Sequence, residues 1–67
     1  MSDRDRLLAE IEAFLKSEGM NPTDFGRGAL NDTAFVSRLR NGSDVRSKTA
    51  AKVREFMVAS RKRRRAA

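Results

Sequence analysis

Leu7, Leu8, Ile11, Phe14 and Leu15 recur at the spacing i, i+1, i+4, i+7 and i+8, which is one apolar stripe of an α-helix. Ser2 is placed to cap that helix, and Asp3 and Asp5 fall in its first turn, where the helix dipole favours negative charge. Gly19 ends it after Lys16, and Met20 is expected to fold back as an apolar contact beyond the end. Glu10, Glu12 and Glu18 would then line its outer, solvated face. A second helix of about two turns follows over residues 22–30, with Asn21 as cap, Pro22 at the first helical position and Asp24 completing an Asn-x-x-Asp capping box. Phe25 and Ala29 or Leu30 are its core positions. Gly26 and Gly28 each weaken such a helix by about 1 kcal/mol relative to alanine, so glycine there needs a reason. Close approach of the next helix supplies one.

The third periodic stretch lies between Asn31 and Gly42. Asp32 is expected to cap a helix over residues 33–41, and Gly42 to end it in the left-handed conformation. At 100° per residue, Phe35, Val36 and Leu39 share one arc, while Thr33, Ala34, Ser37, Arg38 and Asn41 fall on the other. Phe35 borders the exposed arc, where it would meet a thymine methyl, but core packing is the favoured reading. Residues 43–46 read as a loop anchored by Val45. Ser47 then caps a last helix with Thr49 or Ala50, Val53, Phe56 and Met57 inward. From Ser60 to Ala67 no apolar residue exceeds alanine, and the segment is expected to fray or be disordered. Strand-like alternation, internal repeats and a phosphate-binding glycine loop are all missing. The expected fold is all-α: one small four-helix domain over residues 1–60, with room for a short extra turn, and a basic tail over residues 61–67.

Composition narrows the chemistry. The 67 residues contain no cysteine and no histidine, which removes disulfide frameworks, Cys/His zinc sites, thiol chemistry and histidine acid–base catalysis. An enzyme is not expected, and neither is a cofactor or metal. No apolar run approaches the roughly 18 residues of a membrane span, and the acidic N-terminal stretch does not resemble a signal or transit peptide. A protein of the cell interior, with no membrane partner, is the expectation. The net charge of +6 is uneven: residues 1–25 hold six acids against three bases, whereas the rest hold twelve bases against Asp32, Asp44 and Glu55. Such asymmetry points to nucleic acid or another polyanion. Five of those bases, Arg61, Lys62, Arg63, Arg64 and Arg65, form one run, and without them the chain is only +1.

Two short helices joined by about two residues and braced by longer ones have the outline of a helix-turn-helix. In register, Phe25-Gly26, Leu30-Asn31-Asp32, Val36-Ser37 and Asn41-Gly42 resemble the Leu-Ala, Gly-x-Ser, Ile-Ser and x-Gly pattern of the phage lambda repressor and Cro-like family, over about residues 5–58. Where that family commonly has a turn glycine, this chain has Leu30, which implies an altered turn angle. Where many members have Glu, it has Arg40, which would reach a phosphate or pair with an acid such as Glu55. The resemblance implies base contacts from Thr33, Ala34, Ser37 and Arg38. It also implies phosphate contacts from Asn41 and from the ends of the second and fourth helices, Asn21, Thr23, Arg46, Ser47 and Lys48, with Arg27 and Arg40 nearby. Arg38 is the best placed for a bidentate guanine contact. The run Arg61 to Arg65 would lie along phosphates or enter a minor groove.

The leading expectation is a sequence-specific double-stranded-DNA-binding protein, a transcription regulator acting as a homodimer on a two-fold site. Two other readings stay open. One is a helical interaction module, antitoxin- or adaptor-like, that holds a protein partner through its acidic first helix or Met57 and Val58. The other is a non-specific nucleic-acid binder driven by the tail.

Overall fold

The computed structural model describes residues 2–66, with side chains as far as residue 63. Four helices follow in order: α1 (Asp3–Glu18), α2 (Pro22–Leu30), α3 (Phe35–Arg40) and α4 (Ser47–Ala66), and no strand occurs among the described residues. α1 and α2 start as local chemistry dictates. The Ser2 side chain accepts the Asp5 N–H, the Asn21 side chain accepts the Asp24 N–H at 2.8 Å, and Pro22 opens α2. At the end of α1, Gly19 is left-handed and the Met20 N–H returns to the Leu15 carbonyl, which brings Met20 back onto the core.

One cluster holds the helices together. α1 contributes Leu7, Ile11, Phe14 and Leu15, α2 Phe25, α3 Phe35, Val36 and Leu39, and α4 Val53 and Met57. The Phe25 ring sits edge-on between Phe14 and Phe56, with centroids 5.5 and 5.4 Å away. Phe35 is buried, as its apolar character favours. Met57 is buried too, so it is core rather than part of a docking face; among the described residues Val58, 51% exposed, is the one large exposed hydrophobe.

Gly26 explains how α3 comes to lie where it does. A Cβ there would stand 2.1 Å from the Asp32 carbonyl oxygen, so the turn after α2 rests directly on the helix backbone, and the Asp32 N–H donates to the Gly26 carbonyl. Gly28 serves a different neighbour: its missing side chain makes room for the Phe56 ring.

Several expectations need correction. α3 begins at Phe35, two residues later than the cap at Asp32 implied, because the Asp32 carboxylate takes the Ala34 N–H and closes a local turn instead of capping a longer helix. Thr33 and Ala34 therefore lie in the turn. Leu30 does not take the place of a turn glycine: the left-handed position is Asn31, at φ 55°, a conformation asparagine tolerates better than most residues. Ser47 is the first residue of α4, inside the helix, rather than the cap before it. The stretch from Ser60, expected to fray, is helical as far as Ala66, and Ala67 lies outside the described residues. Arginine, lysine and alanine are strong helix formers, cations suit a helix C-terminus, and Arg61 lies 5.5 Å from the Phe14 ring centroid.

Candidate nucleic-acid interface

α3 is only six residues long and cannot hold itself in place, so its orientation is set by what surrounds it. Phe35, Val36 and Leu39 insert into the core, which turns Ser37 and Arg38 outward to solvent. Its C-terminal end is tied down from a distance. Arg4 of α1 donates to the Leu39 carbonyl, which also accepts the Gly42 N–H, and through Nε to the Ser43 carbonyl at 2.8 Å, so one side chain ties the end of α3 and the loop after it to α1. Arg40 faces α1 and makes a two-pronged bond to Glu12 at 2.8 and 2.6 Å.

That pair corrects two expectations. Of the two roles open to Arg40, the structure shows pairing with an acid, but that acid is Glu12 of α1 rather than Glu55, and Glu12 does not point idly into solvent. The same holds for Glu10, which binds Arg54 of α4 at 3.4 and 3.1 Å. Glu12 and Glu10 thus cross-link α1 to α3 and α4. The Arg40 hydrogen bonds pull the Glu12 carboxyl below its usual range, and burial opposes this. In turn, Glu12 raises the Arg40 guanidinium and Glu10 raises that of Arg54, so both arginines keep their charge.

The four residues expected at bases remain together and exposed: Thr33 and Ala34 in the turn, Ser37 and Arg38 on the helix. Arg38 is ion-paired with Asp32 but keeps 55% of its side chain in solvent. Asn41 is exposed where α3 ends. Leu30, Phe35, Leu39, Val45 and Thr49 line an open groove beside α3, and Arg38, Arg46, Asp32 and Asp44 edge it. The structure therefore brings the outer face of α3 next to the start of α4. Two acids balance two bases at that edge, so the positive surplus lies elsewhere.

Arg46, Ser47 and Lys48 are exposed at the start of α4, with free N–H groups at the first turn of a long helix. Arg46, Lys48 and Lys52 make no ion pair among the described residues. Thr23 and Arg27 are exposed on α2, with Arg27 3.9 Å from Asp24. Asn21 is exposed, but its amide is engaged by the Asp24 N–H and the Asp24 carboxylate. In the basic run, Arg61 spreads over Phe14 while Lys62 and Arg63 are exposed; the side chains of Arg64 and Arg65 lie outside the described residues.

What sequence reasoning missed is the part played by Arg4 and Asp32. Arg4 entered only as one of three bases among the first 25 residues, and Asp32 as a simple cap. No local pattern announces either role, because each depends on residues brought near by folding.

No protein-family model matches the chain, and neither curated proteins nor solved structures give a match. Among the described residues no helix is long and apolar enough to cross a membrane.

Proposed function

We propose that the chain is a sequence-specific double-stranded-DNA-binding protein, a transcription regulator built on a helix-turn-helix in which α2 and α3 are the paired helices. The observation that carries this reading is the division of α3 into two arcs. Phe35, Val36 and Leu39 are locked in the core, and the small polar Ser37 and the fork of Arg38 stand outside, beside exposed Thr33 and Ala34. A short helix with small outward side chains can approach base edges in a major groove closely, and an arginine there is suited to guanine O6 and N7. Phosphate attraction then comes from Arg27, from Arg46 and Lys48 at the start of α4, and from Lys62 and Arg63 at its far end.

Pairing of two copies on a two-fold site belongs to this reading. Val58 alone offers little apolar area for a seam, so each copy is expected to bind largely on its own.

Selection from a random duplex library, followed by fluorescence anisotropy on the enriched and scrambled duplexes at physiological salt, tests it. An enriched motif bound more tightly than its scramble is expected. Equal affinity for all duplexes would reduce the protein to a polyanion binder, and no DNA affinity with a stoichiometric protein partner would make it an interaction module.

A further inference from the structure

Asp32 is an acid at the edge of the surface that the preceding reading assigns to a polyanion. Its carboxylate is divided between two tasks: Oδ1 accepts the Ala34 N–H at 3.1 Å, closing the turn before α3, and Oδ2 accepts Nη2 of Arg38. A helical arginine leans towards the helix N-terminus, so Arg38 reaches back over the turn to meet it. The other side-chain pairs of α3 and α4, Arg40 with Glu12 and Arg54 with Glu10, bind one helix to another. Asp32 with Arg38 joins only a turn to the helix it launches. An ion pair this exposed contributes little to stability, which leaves its geometry to be explained.

We propose that Asp32 is a positioning residue for DNA recognition: it fixes the Arg38 guanidinium on the outer face of α3 so that one base pair is read by a preset fork. The inference rests on the DNA-binding function proposed above. Nη2 is held, while Nε and Nη1 make no hydrogen bond among the described residues and remain available to a base edge. Ordering a rotamer-rich side chain before binding removes part of the cost of ordering it in the complex. The carboxylate also repels phosphates, so an Arg38 held by Asp32 is less free to bind backbone of any sequence. Both effects raise the ratio of specific to non-specific binding more than they raise affinity.

The test uses the full chain and the duplex it selects, with anisotropy on that duplex, on its single-base-pair variants and on random duplex. D32N keeps an oxygen for the Ala34 N–H and removes the charge that holds Arg38. Its expected thermal midpoint lies within about 4 °C of wild type, as loss of an exposed pair implies. D32N is expected to bind random duplex more tightly, with a log affinity against log salt slope steeper by about 0.9, the value for one more neutralised phosphate. Discrimination at one base pair should fall about three- to tenfold. In an R38A background the same change should leave discrimination unaltered. Should D32N fail to fold, D32S, whose hydroxyl also accepts the Ala34 N–H, takes its place with the same expectations. Unchanged discrimination in D32N, or an equal loss with and without Arg38, overturns the positioning role while leaving DNA reading intact. A wild-type chain that prefers no duplex overturns both.

Discussion

Replacing Gly26 with alanine tests how α3 is seated. The new Cβ would lie 2.1 Å from the Asp32 carbonyl oxygen and 3.2 Å from its carbon, and both are backbone atoms that cannot swing aside. The turn must lift away from α2. That breaks the Asp32 N–H to Gly26 carbonyl bond, worth about 1 kcal/mol, and disturbs a close-packed core at about 1–3 kcal/mol. Against this, alanine restores about 1 kcal/mol of helix propensity. The net loss is about 1–3 kcal/mol, which lowers the thermal midpoint of a domain this small by about 5–20 °C. Gly28→Ala is the internal control. It gains the same propensity, and its Cβ meets ring atoms of Phe56 at 2.8 Å, the outer end of a side chain only partly buried. The ring can turn, so G28A should stay within about 1 kcal/mol of wild type. Thermal and urea unfolding followed by far-ultraviolet circular dichroism reads both. A G26A protein as stable as wild type, or G28A the more damaged of the two, would refute the seating of the turn on α2.

Two further outcomes follow from the cross-links. Glu12 has its carboxyl lowered from 4.5 chiefly by the Arg40 hydrogen bonds, so its contribution is present above that pH and is lost as pH falls through the lower folded value; the gap in urea midpoint between wild type and E12Q should shrink on acidification, and a gap independent of pH would contradict the linkage. Removing the Arg61 guanidinium from over Phe14 with R61A should cost about 0.5–1 kcal/mol, read as a lower thermal midpoint, and an unchanged midpoint would mean that the far end of α4 is not held to the core.

Elements governed by neighbouring residues could be read from the chain alone. The Ser2 and Asn21 caps, the apolar stripe of α1 and the split of α3 into Val36 and Leu39 against Ser37 and Arg38 each depend on spacings of a few residues, which helix geometry fixes. The misreadings have a common physical source. Asp32 had two local options, a helix cap or a tighter turn, and the seat on Gly26 favoured the turn. Arg40 finds Glu12 28 positions away, and Arg54 finds Glu10 44 positions away, separations at which charge patterning along the chain carries no signal. The basic run offers no core residue, so its composition alone carries no sign of the helix that extends to Ala66. What it lacks in burial is offset by helix propensity and by the aromatic face that α1 presents to Arg61.

The outward face of α3 is where recognition either happens or does not. Amide chemical-shift mapping during titration of the labelled protein with its selected duplex addresses that face residue by residue. The largest perturbations are expected at Thr33, Ala34, Ser37 and Arg38, with smaller ones at Arg46 and Lys48. Perturbations confined to Lys62, Arg63 and the end of α4, with residues 33–38 unmoved, would contradict the assignment of α3 as the element that reads DNA.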